Sequence, residues 1–337
     1  MAMRKTMRNL HNKTTLFLCL ILTVCLSSCA SVPKEFPINE QRAYTAEKSE
    51  QIFSRYSPFF IIENFKEPFN LIGTVRARLD KKGEEELYVD PEKAAIYVQK
   101  RTFETDKGSY TNLIYRVHFE RVPFSLVPFY LVKGENVGIF VIVTLNEKGE
   151  PILFTTLHTC GCYLGFIPTS YLPEEALPEK WDKKDQWVYG YTLPGLLQYP
   201  PTFKNEIRPV IIIRSGTHRM KNVQLGETDE LLKTYDIFDA QLKAMEELEA
   251  VPVSEGQRTS FFETSGSRKG YVKGSHKPLE RLLMSWWAFD WRIGEDKKLS
   301  IDKSDGPLFY TSLKPWARKE SDLRDFAAFL QYWGWGL

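Results

Sequence analysis

The chain has 337 residues, of which 43% are hydrophobic and 26% are charged, the composition of an ordinary globular protein. Its 45 basic and 43 acidic residues give a formal charge of +2, which excludes the strongly basic surface of a nucleic-acid-binding protein. Five cysteines in this length exclude a disulfide-rich scaffold, so ordinary packing must hold the core.

The N-terminal residues have the order of charge and hydrophobicity that is typical of an export signal. Four basic residues precede an apolar run over 14–26, and residues 1–28 contain no acidic side chain. The run is shorter than the ~20 apolar residues that a membrane-spanning helix needs. We interpret residues 1–28 as a signal peptide that is removed from the mature protein.

The apolar run ends in Leu26-Ser27-Ser28-Cys29, which resembles the lipobox of bacterial lipoprotein signals. The resemblance implies that Cys29 becomes the first residue of the mature protein and carries acyl chains, palmitate among them. Several acyl chains on one residue hold a protein stably on a bilayer. Ala30 stands where an Asp would favour the inner membrane, which implies an outer-membrane lipoprotein with its body in the periplasm.

Loss of the signal changes the charge and the cysteine content. Residues 1–28 contain four of the 45 basic residues and none of the 43 acidic ones, which leaves a formal charge of −2. Nucleic acid is therefore not an expected partner, whereas the membrane, through Cys29, and an envelope protein are. After removal of the signal, Cys160 and Cys162 are the remaining unmodified thiols, in an oxidising compartment.

The body begins with a tether and a helix. Residues 29–44 contain two prolines and little periodicity, which indicates a tether between the membrane and the body. We predict one domain over 45–337, with 57–200 and 201–337 as candidate subdomains, because no Gly/Ser/Pro-rich linker separates the halves. A first helix is predicted over 45–56.

Alternating apolar and polar residues predict strands through most of the first half. A strand is expected over 71–79 and two hairpins follow it, formed by 96–103 with 110–122 and by 137–145 with 151–158. Residues 137–145 are apolar on both faces, so this strand should be central.

The second half combines one hairpin with helices. Strands are predicted over 210–214 and 219–225, with a further short strand over 308–312. Helices are predicted over 227–248, 278–293 and 321–333, the first from a stripe at Leu231, Tyr235, Phe238, Leu242 and Met245. The expected fold is α+β, an antiparallel sheet from the first half covered by at least three helices mainly from the second half.

His158-Thr159-Cys160-Gly161-Cys162 is the most chemically suggestive motif. In a strand, alternate residues point to one face, so His158, Cys160 and Cys162 would share it. Imidazole and thiolate are ligands for copper or zinc, with Gly161 providing a bend and His118 the fourth ligand.

Two other interpretations of the same motif stay open. A pair of thiols one residue apart can close a strained, easily reduced disulfide, which indicates thiol–disulfide redox chemistry. Alternatively, Cys160 and Cys162 form an inert disulfide or are small buried hydrophobic residues, and His158 is bonded to a backbone carbonyl.

A second polar segment, Arg214 to Arg219, follows the predicted strand 210–214. Arg214, His218 and Arg219 flank a glycine-containing turn, which is a candidate anion site through guanidinium groups and backbone N–H groups. A plain hairpin turn with charged flanks is the alternative.

Six of the eight tryptophans lie in the last sixth of the chain. They suit a membrane-interface belt, a sugar-stacking surface or the core. The spacing of Trp286 from Leu282 and Leu283 favours the core, and we expect the aromatic C-terminal tail to be docked.

The sequence contains no nucleophile elbow, H-E-x-x-H or G-x-G-x-x-G motif after a strand. This favours a non-enzymatic envelope lipoprotein that binds a partner or ligand on the periplasmic side. The alternative is a copper- or zinc-binding or thiol–disulfide redox protein that uses His158, Cys160 and Cys162.

Overall fold

The computed structural model describes residues 35–49 and 51–337, so Cys29 and the predicted signal peptide lie outside the described residues. Phe36–Pro123 and Leu131–Leu337 form one compact unit. The segment Phe124–Tyr130 falls outside that unit and contains a hydrogen bond from the Tyr130 amide to the Ser125 carbonyl (3.1 Å). The predicted tether and single domain stay a prediction.

The predicted α+β class is wrong, because the protein is mostly β. Strands make up 40% and helices 17% of the structure, and a ten-stranded sheet dominates it. The described residues contain four α-helices, which are too short and too few to cover such a sheet as the sequence suggested.

The ten strands of the main sheet come from both halves of the chain. They are β1 (Gln41–Ala46), β2 (Phe59–Glu63), β5 (Ala95–Thr105), β6 (Gly108–Val122), β7 (Gly134–Leu145), β8 (Pro151–His158), β9 (Gly165–Pro168), β12 (Ile207–Ile213), β13 (Met220–Glu227) and β14 (Ile237–Ala244). Three two-stranded sheets accompany it, formed by β3 (Thr74–Leu79) with β4 (Glu85–Asp90), β10 (Asp185–Val188) with β11 (Tyr191–Pro194), and β15 (Val251–Ser254) with β16 (Gln257–Thr259).

The order in the main sheet is β13-β12-β2-β1-β14-β5-β6-β7-β8-β9. From β5 to β9 each strand pairs antiparallel with its neighbour in sequence, as the predicted hairpins require. Three pairings are parallel, namely β12 with β2, β1 with β14 and β14 with β5. The sheet is therefore mixed, not antiparallel as expected.

The sheet curls until it nearly closes on itself. At the seam, the Thr156 hydroxyl on β8 contacts the Met220 sulfur on β13 at 3.3 Å, although eight positions separate these strands in the sheet order. Phe60, Leu113, Phe154 and Ile211, from strands around the whole sheet, belong to one enclosed apolar cluster. The inward face of the curled sheet is thus one continuous core.

The outward face of the central strands is covered by the C-terminal third of the chain. Phe140 on β7 and Leu153 on β8 pack in one cluster with Phe261, Phe309 and Phe329. Because both faces of β7 and β8 are buried, these strands are apolar throughout, which confirms that 137–145 is a central strand.

The helices are α1 (Ile52–Tyr56), α2 (Thr228–Thr234), α3 (Pro278–Ala288) and α4 (Phe326–Tyr332). The predicted helix 278–293 is confirmed over most of its length, whereas 45–56 and 321–333 are helical only in part. The short strand predicted over 308–312 is reduced to a single bridge between Tyr310 and Asp322. No helix in the described ranges is long and apolar enough to cross a bilayer.

The long helix predicted over 227–248 is wrong. It ends at Thr234, and 237–244 form β14 in the middle of the sheet. Phe238 and Leu242 are four residues apart, which fits one face of a helix and also one face of a strand. Ala240, between them, is fully buried, as strand periodicity requires and helix periodicity does not.

The predictions for the tryptophan-rich region are confirmed at the C-terminal tail and wrong on the helix 278–288. Trp335 and Leu337 are buried, which confirms that the C-terminal tail is docked. Trp286 and Leu282 are 73% and 72% exposed, so their assignment to the core is wrong.

Candidate functional site

The motif that follows β8 is a tight turn. The Gly161 amide donates to the His158 carbonyl (2.8 Å), and the His158 amide donates to the Cys162 carbonyl (2.9 Å). Gly161 has φ +93°, a conformation that residues with a Cβ rarely adopt. The predicted bend at Gly161 is therefore confirmed, and it brings the two cysteines together.

Both thiols are free and in contact with each other. The Cys162 amide donates to the Cys160 sulfur at 3.4 Å, and the two thiol groups are also hydrogen-bonded. Cys160 is buried and Cys162 is half-buried. The hydrogen bond from Cys160 and burial are the main causes that raise the pKa of the Cys162 thiol well above its ordinary value.

Glu280, in the first turn of α3, faces this pair. The Cys162 sulfur lies 3.9 Å from Glu280 Oε1 and donates its proton towards it. Glu280 is only 3% exposed, and its Oε2 has no hydrogen-bond partner. Burial raises the pKa of the Glu280 carboxyl to about 7, against the opposing effect of the nearby Lys277 charge.

A fully buried ion pair holds α3 against the turn. Lys277 Nζ, just before the helix, lies 3.1 Å from Asp296 Oδ2. The Thr159 hydroxyl, inside the turn, donates to the other Asp296 oxygen. Burial alone would lower the pKa of Lys277, but Asp296, Cys160 and Glu280 together outweigh burial and raise that pKa.

A second buried lysine lies on the other side of the thiols. Lys297 Nζ donates to the Cys160 carbonyl at 3.4 Å and sits 3.9 Å from the centre of the Tyr310 ring. Burial lowers the pKa of Lys297. Its charge lies close enough to favour a thiolate at Cys162.

These groups surround a cavity of about 180 Å³. Its lining combines the two thiols and Glu280 with apolar and aromatic side chains: Leu131, Cys160, Gly161, Cys162, Tyr163, Tyr189, Glu280, Met284, Ile293, Gly294, Tyr310, Thr311 and Leu313. A space of this size accepts a small ligand or one side chain of a partner, in direct contact with sulfur.

The two histidines predicted as metal ligands, His158 and His118, do not line this cavity. His158 Nε2 pairs with the His218 carbonyl (3.2 Å), and its ring meets Tyr163 edge to face. His118 Nε2 accepts from Arg116 Nε (3.0 Å), with Phe261 against its ring. Burial holds the pKa of each well below its ordinary value, so both rings are neutral.

Across residues 35–49 and 51–337, no group of three His, Cys, Asp or Glu side chains is arranged to hold a metal ion. The structure places His118 with Arg116 and Phe261 and turns His158 towards the 214–219 hairpin. Only Cys160 and Cys162 of the predicted copper or zinc ligands meet at the cavity.

The predicted anion site occupies the turn between β12 and β13. Its backbone amides are already bonded, Gly216 to Asn70 Oδ1 (2.8 Å) and His218 to the Arg214 carbonyl (3.1 Å). The His218 ring stacks on Phe119, and burial lowers its pKa to about 3. Arg219 donates to the Tyr163 hydroxyl (2.8 Å), so the hairpin contacts the turn of residues 158–163, which we call the thiol turn. We propose no anion site at this hairpin.

The cysteines of the site were predicted from the sequence, but its buried charged residues were not, namely Lys277, Glu280, Asp296 and Lys297. Charged residues near a helix start or in a polar loop are usually solvated, and nothing local marks these four as buried. The one available signal was that Glu280 lies directly after Leu279 and two residues before Leu282, near the start of the predicted helix.

Gly161→Ala should disrupt the site. A Cβ at this position would lie 2.3 Å from the Tyr310 carbonyl oxygen, in addition to the backbone strain at positive φ. Gly190→Ala is a matched control, because Gly190 has φ +92° and nothing within 4 Å of an added Cβ. We expect the control to lose about 1–2 kcal/mol of unfolding free energy in urea and Gly161→Ala to lose clearly more. Equal losses would contradict the close approach to Tyr310.

Glu280→Gln should change how stability depends on pH. The carboxyl pKa is about 7 in the folded protein against 4.5 for an ordinary Glu, so protonation stabilises the fold below about pH 4.5. That stabilisation is lost as pH rises through 7. The variant should therefore gain roughly 2–3 kcal/mol relative to the wild type between about pH 5 and pH 8.

The measurement is urea unfolding of both proteins across that pH range. Glu84→Gln, at an exposed position, is the control and should leave the wild-type profile unchanged. The buried histidines contribute equally to all three proteins, so they cancel in the difference. Parallel profiles for wild type and Glu280→Gln would show that the carboxyl is not buried as described.

Comparison with known proteins identifies no relative. No protein-family model matches the chain. No curated protein and no solved structure matches it either. The function must therefore be argued from the chemistry of the site and from the sequence motifs.

Proposed function

We propose that the protein is a lipid-anchored envelope protein whose Cys160 and Cys162 form a redox-active dithiol. The observation that carries this proposal is the buried Glu280 carboxyl, whose Oε1 lies 3.9 Å from the Cys162 sulfur and whose Oε2 has no hydrogen-bond partner, at the wall of a cavity that both thiols line. A buried carboxyl is costly to keep without a partner, and perturbed titratable groups in a cavity are typical of functional sites.

The proposed reaction is exchange with a disulfide, RSSR, of a partner protein or small molecule. The Cys162 sulfur attacks one sulfur of RSSR, forms a mixed disulfide and releases one thiolate, RS⁻. Cys160 then attacks the Cys162 sulfur, closes the intramolecular disulfide and releases the second RS⁻. The protein loses two electrons and two protons, and RSSR gains both to become two thiols.

Glu280 has the position and the pKa of the proton acceptor for the first attack. Because the pKa of Cys162 is raised, little thiolate forms near neutral pH, and the reaction needs a base within reach. A carboxyl with a pKa of about 7 is half ionised there and can also return the proton in the reverse reaction. Cys162 is the attacking residue because it is the more exposed thiol.

The test uses protein that spans residues 30–337, which contains the whole compact unit. It is equilibrated with mixtures of reduced and oxidised glutathione, and the thiols are counted by alkylation and mass spectrometry. We expect both thiols to disappear and return together. Cys160→Ser should trap a mixed disulfide at Cys162, and Cys162→Ser should react at least about tenfold more slowly.

The pH profile separates a base from a structural role of Glu280. Glu280→Gln should slow the first exchange at least about tenfold near pH 7, and the difference from the wild type should shrink as pH rises, because hydroxide then removes the Cys162 proton without the carboxylate. Glu84→Gln should match the wild type. Thiols of the folded protein that do not react with oxidised glutathione, or equal rates for Cys160→Ser and Cys162→Ser, would contradict the proposal.

Binding without redox chemistry is the second candidate function. The observation in its favour is the cavity itself, whose walls are largely apolar and whose polar groups converge on one side. A dithiol that stays reduced in every glutathione mixture would leave this function as the better supported one.

The envelope location is supported by the sequence Leu26-Ser27-Ser28-Cys29. In a bacterial host fed a labelled fatty acid, we expect the full chain to incorporate the label and Cys29→Ser to incorporate none. A full-length, unlabelled product in the cytosol would contradict both the anchor and the oxidising compartment.

A further inference from the structure

Helix α3 turns an apolar, aromatic surface to solvent. We call this surface the aromatic face, and it consists of Leu282, Leu283, Trp286 and Trp287 on the helix and Phe289 and Trp291 directly after it. Trp286 is 73% exposed and Phe289 is 78% exposed. Side chains of this size are seldom left together in water, and such surfaces are typical of interaction sites.

The opposite side of the same helix is buried against the rest of the unit. Glu280, Ser285 and Ala288 are buried, and Met284 lines the thiol cavity. The aromatic face therefore does not belong to the core of this unit, and a groove of about 570 Å³ runs along it between Arg281, Trp286 and Trp291.

The charges around the aromatic face are unequal. The guanidinium of Arg281 lies 4.5 Å from the Trp291 ring, and Arg318 donates to the Ala288 carbonyl at the end of α3. The acidic groups nearby are engaged with protein partners: Asp290 accepts from the Tyr310 hydroxyl, and Glu295 is buried against Arg268. Aromatic rings bordered by cations suit the headgroup layer of an anionic bilayer.

The start of β1, where the chain enters the sheet, lies at the same end of the sheet as the thiol turn. β1 begins at Gln41, opposite Glu63 at the end of β2. The next residue, Asn64, donates to Ser215 in the 214–219 turn (3.4 Å). That turn contacts the thiol turn through Arg219 and Tyr163.

Cys162, in the thiol turn, contacts Glu280 at the start of α3. Phe36, where the compact unit starts, is only seven residues from Cys29, which bounds their separation at about 25 Å even for an extended chain. A lipid at Cys29 therefore keeps this end of the unit close to the bilayer.

We propose that the aromatic face docks into the interfacial layer of a bilayer that contains anionic phospholipids, and so orients the thiol cavity at the membrane surface. The Trp and Phe rings insert at headgroup depth, and Arg281 and Arg318 contact lipid phosphates. The orientation of the unit on the bilayer rests on the proposed lipid anchor at Cys29. The affinity of the aromatic face for lipid does not, so an experiment can contradict either proposal without the other.

The test measures sedimentation of the 30–337 protein, which has no acyl chain, with vesicles. The probes are vesicles of phosphatidylglycerol with phosphatidylethanolamine and vesicles of phosphatidylcholine alone. We expect binding to the anionic vesicles, weaker binding at high salt, and a blue shift of tryptophan emission. The double variant Trp286→Ser, Phe289→Ser should bind at least about tenfold more weakly, because two large apolar groups are removed.

Trp187→Ser is the matched control, because Trp187 is 76% exposed but lies on β10. It should bind vesicles like the wild type, and both variants should retain wild-type unfolding in urea. Absence of vesicle binding by the folded wild type, or equal binding by the control and the double variant, would overturn the proposal.

Self-association that disappears in the double variant, without vesicle binding, would assign the face to a second copy instead and would also overturn it. Vesicle binding by the 30–337 protein combined with an unlabelled Cys29 would leave the docking face intact and remove only the anchor.

Discussion

The ion pair between Lys277 and Asp296 is the interaction on which the site depends. Both side chains are fully buried, and Asp296 also accepts from Thr159, in the middle of the thiol turn. Two charges in such a place are tolerable only together, since either one alone would be left uncompensated. The pair therefore fixes the start of α3 against the turn and brings Glu280 to Cys162.

The cavity that results is assembled from parts that are distant in sequence. The turn after β8 supplies the thiols, α3 supplies the carboxyl, and the segment around Tyr310 closes the opposite wall. Gly161 makes this possible, because its missing Cβ lets the Tyr310 carbonyl approach the turn. Phe309, next to Tyr310, packs on the outward face of β7 and β8. The same C-terminal segment therefore packs the core and completes the site.

The sequence predicted those parts of the fold whose partners are close along the chain. The hairpins of β5 with β6 and of β7 with β8 have alternating or continuous apolar patterns and short turns, and both were correct. β14 was mistaken for a helix because its partners, β1 and β5, lie far away in sequence and the spacing of Phe238 and Leu242 fits both periods. At the site, the paired cysteines were visible, but the burial of Glu280 follows from tertiary packing that no local pattern contains.

The place of β14 also has a consequence for the order of assembly. Ala43 to Ala46 on β1 bond to Ile237 to Ala240, about 190 residues later in the chain. Until that segment arrives, one edge of β1 and one edge of β5 present unpaired backbone groups, which invite pairing with other chains. Closing so long a loop is slow compared with forming the hairpins between β5 and β9. The folding chain must therefore keep its first strands from aggregating until most of its length is available for pairing.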